Sequence, residues 1–223
     1  MSFINKKHQD YKRAIWHFLG IGCASLLFWF CNDLFLGILV GFGLLFLFVD
    51  WRRSVKDLWA ISLIKFFTGK FFFNMLRDSE KNQISSGAKF VFVGLVVVVL
   101  KILFDLPREL ATCSGLMLAV GDPIARIVGK EWKHNGFNGL VGLRWRRMCL
   151  YGKKTFAGSA SFFIFSVLVV YLFSSIANVE MSWLVLIAGV VTATLVELFT
   201  TDWDNFWVPF SALMTMWLIK VLV

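Results

Sequence analysis

GDPIARIVG (residues 121–129), followed after a basic loop by YGKKTFAGSASFF (residues 151–163), decides how this chain is read. The first run sets an acid, Asp122, and a proline, Pro123, at the end of an apolar segment. The second sets lysines and then small residues at the start of another. A charge near hydrocarbon costs about 2.5–3.5 kcal/mol on insertion scales, so Asp122 is read as functional. Its plainer reading is a pair with Arg126, one helical turn later. After Lys153 and Lys154, residues Gly158, Ser159, Ala160 and Ser161 keep the first amides of a helix approachable. Such a helix start suits a phosphate-rich ligand.

Working outward, the surroundings are strongly apolar. Of 223 residues, 58% are hydrophobic, and the mean hydropathy is +0.73. A spanning helix needs about 20 mostly apolar residues. Seven segments qualify, near 14–31, 34–50, 88–106, 110–128, 157–175, 181–199 and 204–222. The expected fold is therefore an all-α, polytopic membrane protein of about seven spans, forming a single domain over residues 1–223. The weakest spans are 110–128, which holds Asp122, and 204–222, which begins at Asp204. Residues 55–76 mix Lys56, Lys65 and Lys70 with phenylalanines and are expected to lie on the membrane surface.

Loop charge sets the expected orientation. With the N-terminus inside, 20 of the 23 Lys and Arg residues fall in inner segments, and the outer loops hold only Arg108. Lys101 and Lys220 sit near outer span ends, where long stems snorkel. This imbalance is what the positive-inside rule predicts, and it places the N-terminus and the loop 129–156 in the cytoplasm. The expected location is a multi-pass site in the membrane, the inner one in a bacterium. The net charge of +9 then reads as attraction to anionic headgroups or to phosphate, and no nucleic-acid recognition motif accompanies it.

Other chemistries find little support. Cys23, Cys31, Cys113 and Cys149 are scattered without metal spacing and read as reduced packing residues. No cleavable signal peptide, internal repeat or Ser-His-Asp set is recognisable. GKKT (152–155) is not a nucleotide-binding P-loop: that motif needs a glycine where Arg147 stands, and a preceding strand, which the sequence does not offer.

In the seven-span arrangement the acids near membrane depth converge. Asp122, Glu197, Asp202 and Asp204 all fall at the cytoplasmic mouth, beside the basic loop. Thr194, Glu197, Thr201 and Asp204 would share one face of a continuous helix. Asp202 and Asp204 also read as an ordinary solvated turn, and Lys153 and Lys154 as positive-inside anchors. Acids beside bases are what a Mg²⁺–triphosphate complex needs, since Mg²⁺ takes carboxylate, water and phosphate oxygens.

These residues resemble the CTP-dependent polyprenol, phytol and diacylglycerol kinases, a family similar at its core to phosphatidate cytidylyltransferase. The resemblance runs in order through the chain. It starts with Arg13 and His17, with Ala14 where the family has lysine. An LR-x-x-E segment follows at Leu76, Arg77 and Glu80, then Gly87 and Ala88. A GD-x-x-A-x-x-x-G pattern is met by Gly121, Asp122, Ala125 and Gly129. Lys154, Thr155, Gly158 and Ser159 match the next motif; Glu197, Asp204, Asn205 and Pro209 close the series. Residues 130–151 depart from the family, being rich in tryptophan and arginine where a short Gly-Lys-Pro link is expected.

The resemblance implies transfer of the γ-phosphoryl group of a nucleoside triphosphate, CTP, to the hydroxyl of a membrane lipid alcohol. It implies Asp122 and Asp204, with Glu197, as ligands of Mg²⁺. Lys153, Lys154, Thr155, Gly158, Ser159 and Asn205 would bind nucleotide, and Glu197 or Asp122 would orient or deprotonate the lipid hydroxyl. Arg77, Glu80 and His17 would complete the mouth. Two alternatives remain open. One is synthesis of a CDP-lipid, although the His-Gly-Gly signature of that family is missing. The other is anion transport. The lipid acceptor, the choice of nucleotide and any homo-oligomer are left open by the sequence.

Overall fold

The long apolar runs become helices, as their composition requires. The computed structural model describes residues 2–68, 72–73, 76, 80, 82–135, 149–151, 154–200 and 203–223. Among them lie eight helices: α1 (Ser2–Phe30), α2 (Asp33–Ser54), α3 (Leu58–Thr68), α4 (Ser86–Phe104), α5 (Arg108–Asn135), α6 (Phe156–Ala177), α7 (Trp183–Phe199) and α8 (Asp204–Leu222). Six of these, α1, α2, α4, α5, α6 and α8, are long and apolar enough to cross a membrane, the signature of an integral membrane protein. Both segments expected to be weakest, around Asp122 and after Asp204, are among the six. Helix α7 has 17 residues, about 25 Å of rise, at the lower limit for a span. Helix α3 has 11 residues and is too short to cross.

Helix α5 runs through Pro123 to Asn135. The all-helical architecture carries one short pair of strands among the described residues. Strand β1 (Cys149–Tyr151) pairs antiparallel with β2 (Lys154–Thr155) just before α6. The reason lies in the cap of α6. An N-cap residue takes extended backbone, and Thr155 has φ −110° and ψ 151°, so the chain enters the helix as a strand.

The contacts group the chain into two compact units. One comprises residues up to Trp29 together with Leu106–Val223, and so contains most of α1 and all of α5 to α8. Helix α5 is its centre. Two thirds (67%) of its spanning window is buried, against 17–33% in the other five candidate spans. Protein rather than lipid surrounds it, which is why Thr112, Ser114 and Asp122 are tolerated there.

Helix α5 packs most extensively on α6. Gly121, Ala125 and Gly129 recur every four residues and so form one narrow stripe. A Cβ on Gly121 would lie 2.7 Å from the Phe162 ring and 2.8 Å from Ser166 Oγ. One on Gly129 would lie 2.9 Å from Thr155 Oγ1, and one on Gly158 would lie 3.0 Å from the Ala125 carbonyl. Small residues let helix backbones approach closely, the usual basis of association in a membrane. Helices α7 and α8 repeat the device at Gly189, where a Cβ would lie 2.5 Å from Met216 Cγ. Trp29 of α1 meets Phe173 of α6 edge to face at 5.5 Å, and Lys220 Nζ lies 2.7 Å from Glu109 Oε1.

The other unit, Phe30–Asp105, holds α2, α3 and α4. Asn32 caps α2 by accepting the Phe35 amide at 2.9 Å, and Ser85 caps α4 by accepting the Ala88 amide at 3.2 Å. Its polar centre is Asp50 with Arg53, which are 0% and 2% exposed. Arg53 Nε donates to Asp50 Oδ1 at 2.7 Å, and its other nitrogens donate to the carbonyls of Glu80 (3.1 Å) and Gln83 (2.6 Å). Asp50 Oδ2 accepts the Ser85 amide at 2.8 Å. One ion pair thus fixes the chain leading into α4.

Two stability tests follow from this packing. Gly121→Ala should destabilise the protein by about 1–3 kcal/mol, because Phe162 and Ser166 must move. Gly20→Ala, where nothing lies within 4 Å of the new methyl, should be neutral or stabilising in the same thermal melt in detergent. Arg53→Met should cost about 3–5 kcal/mol, because it leaves Asp50 buried and uncompensated. Asp50→Leu combined with Arg53→Met should recover much of that loss.

Candidate functional site

The site is assembled at one end of the unit centred on α5, from five chain segments. Helix α5 supplies Asp122, 3% exposed. Arg126 Nη2 lies 2.9 Å from Asp122 Oδ2, so the one-turn pair foreseen in the sequence is formed. His17, from α1, brings its Nε2 to 3.6 Å from the same oxygen. That is longer than a hydrogen bond, but close enough for charge to be felt.

The hairpin strand β2 supplies Lys154, whose Nζ pairs with Glu197 Oε1 from the end of α7. Glu197 is 3% exposed, and its Oε2 is buried without a hydrogen-bond partner. The negative charges of Asp122 and Asp204 both act on it. Three carboxylates therefore share one neighbourhood, with Lys154 and Arg126 as counter-charges. The convergence does not come from one continuous helix. Helix α7 stops at Phe199 and α8 starts at Asp204, so the continuous face through Thr194, Glu197, Thr201 and Asp204 does not form.

The small residues of the second motif take architectural places. Thr155 Oγ1 caps α6 by accepting the Gly158 amide at 3.1 Å. Gly158 lies against Ala125 and Gly129 of α5. Ser159 Oγ is buried without a hydrogen-bond partner, and Ser161 Oγ donates to the Gly158 carbonyl at 2.7 Å. Asp204 Oδ1 accepts the Asn205 amide at 2.9 Å, and both residues are buried.

Glu80 belongs to the unit of α2 to α4, where its Oε1 accepts the Ser86 amide at 3.1 Å at the start of α4. Arg77, Lys153 and Asp202 lie outside the described residues. Sequence reading missed the pair Asp50–Arg53 altogether, although an acid followed three residues later by a base was the available signal.

Chemically, the arrangement offers hard oxygen donors, a lysine and a helix start at one mouth. Among the described residues no three of His, Cys, Asp and Glu lie close enough to hold a metal by themselves. Mg²⁺ asks for less. It is usually bound through one or two carboxylates with substrate phosphates and waters, so this donor set fits it.

The chain is 28% identical over 153 residues to an uncharacterized protein of Rickettsia prowazekii (strain Madrid E), a match covering 66% of each chain. The chain thus spans just under two thirds of that relative's length. No protein-family model matches it. No solved structure matches it either.

The Lys154–Glu197 pair can be tested without any activity. Lys154→Ala should lower the melting temperature, because it strands a carboxylate between two others. Adding Glu197→Gln should restore part of the loss, giving a coupling of about 1–3 kcal/mol in a double-mutant cycle. Additive losses would mean that the two side chains do not interact.

Proposed function

We propose that this protein is an integral-membrane phosphotransferase. On this reading it moves the γ-phosphoryl group of a nucleoside triphosphate, CTP by resemblance, to the hydroxyl of a lipid alcohol. The observation that carries the reading is the ion pair of a partly exposed Lys154 with a buried Glu197, whose charge is felt together with those of Asp122 and Asp204. Burying three carboxylates at the end of apolar helices is costly, and a cationic or phosphate-bearing ligand offsets that cost. The basic residues of 129–156, if cytoplasmic as loop charge implies, would raise the local concentration of a polyanion.

Asp122 and Asp204 would hold Mg²⁺ together with phosphate oxygens and water, and the ion when bound neutralises charge on the phosphates. Lys154 would turn from Glu197 to a phosphate oxygen, and the first turn of α6, with Ser159, would receive another. Glu197 or Asp122 would accept the proton of the lipid hydroxyl as its oxygen attacks the γ-phosphorus, and the nucleoside diphosphate leaves. The seven-span topology, with the N-terminus and the basic loop cytoplasmic, is part of the same proposal. It would place the mouth where nucleotide is available.

The test is a labelled-nucleotide assay on membranes holding the full chain. Label should pass to lipid from the γ position. Label passing from the α position would indicate CDP-lipid synthesis, and solute uptake without transfer would indicate an anion transporter. Asp122→Asn should lower turnover by about a hundredfold or more while the protein remains folded. Lys154→Ala should raise the nucleotide KM, lower kcat, or both, by at least about tenfold. Lys130→Ala, at the exposed end of α5, should change neither by more than about twofold. Equal losses at Lys154 and Lys130 would reduce the loop to a general electrostatic surface.

A further inference from the structure

The first two turns of α8 carry two opposed chemistries. One face is polar and buried: Asp204 and Asn205 are 7% and 3% exposed, with Val208 and Pro209 buried behind them. The other is aromatic and open. Trp203 is 43% exposed and Trp207 47%. Phe206 sits among the rings, 6.1 Å from Trp203, 4.9 Å from Trp207 and 5.5 Å from Phe210, the last stacked. Trp207 and Phe210 meet at 6.2 Å. The far end of the same helix is different, exposing the aliphatic Leu218, Val221, Leu222 and Val223.

We propose that this ridge is the docking surface for a lipid alcohol. Its chain would lie along Trp203, Phe206, Trp207 and Phe210, and its hydroxyl would be turned to Asp204. The proposal rests on the phosphotransferase reading and deepens it by naming where the acceptor binds. Three observations favour a lipid as occupant. Helix α8 is long and apolar enough to span, so its open face meets lipid. Tryptophans prefer headgroup depth, where an acceptor hydroxyl sits. The polar face that begins at Asp204 acts electrostatically on Glu197, so chain and hydroxyl find complementary partners within two helical turns. Rings already packed on one another lose little freedom when a chain settles on them.

An aromatic belt that merely meets the bilayer would present the same rings, and two measurements separate the cases. In the first, vesicles holding the full chain carry a diazirine-bearing diacylglycerol, a diazirine-bearing polyprenol or a diazirine-bearing phosphatidylcholine. One of the two alcohols should label residues 203–210 at least about fivefold more than phosphatidylcholine does, and unlabelled alcohol should compete. Equal labelling by phosphatidylcholine would overturn the proposal.

In the second, Trp207→Ala and Phe210→Ala should each raise the KM for the lipid alcohol about fivefold. The nucleotide KM should stay within about twofold, and Trp207→Phe should restore most of the loss. Unchanged lipid KM values would also overturn it. Selective labelling without any phosphoryl transfer would sink the kinase reading and leave the docking surface standing. Transfer with unselective labelling would do the reverse.

Discussion

The approach of α5 to α6 is the constraint on which the larger unit depends. It is possible only because Gly121, Gly129 and Gly158 have no side chains where Phe162, Ser166, Thr155 and the Ala125 carbonyl lie. Hydrocarbon offers no hydrophobic drive between helices, so shape and close contact must hold them. Bringing α6 this near fixes the start of that helix, and with it Thr155 and the strand that carries Lys154. The glycine and small-residue positions that looked like ligand contacts are thus, first, the means by which the helices meet. Asp122 rides on the same stretch of α5, one residue after Gly121. Its position is set by packing before any chemistry is asked of it.

Charge is handled in two ways. In the unit of α2 to α4, Asp50 and Arg53 are sealed together: Arg53 donates to Asp50 and to the carbonyls of Glu80 and Gln83, and Asp50 accepts the Ser85 amide. That is a structural solution, since a matched pair with satisfied hydrogen bonds has little left to offer a ligand. At the end of α5 the balance is looser. Glu197 keeps one buried oxygen without a partner although its other oxygen meets Lys154, and Ser159 keeps its hydroxyl. Unfinished pairing of this kind is costly to maintain in a buried place, and it is where we place the chemistry.

Much of the fold was legible in residue types alone. Long apolar runs can only be helices in lipid, because their backbone groups must be satisfied within the segment. Six of the expected spans are helices long and apolar enough to cross, and the seventh, Trp183–Phe199, is a helix at the margin of length. The pair Asp122–Arg126 was legible too, since one helical turn separates them. The hairpin at 149–155 was not. Its strands are two and three residues long, too short for any alternating pattern to show.

The sequence by itself determined the apolar, helical character of this chain and the one-turn pair Asp122–Arg126. These are local properties, set by residue type and by neighbours one or two turns away. Tertiary structure alone decided that Lys154 meets Glu197, 43 residues on, and that His17 reaches Asp122. It also decided that Glu80 serves the start of α4 through Ser86. Such pairings depend on which helices lie side by side. That choice is made by the fit of side chains such as Phe162 against Gly121 and Met216 against Gly189, which no periodicity along the chain encodes.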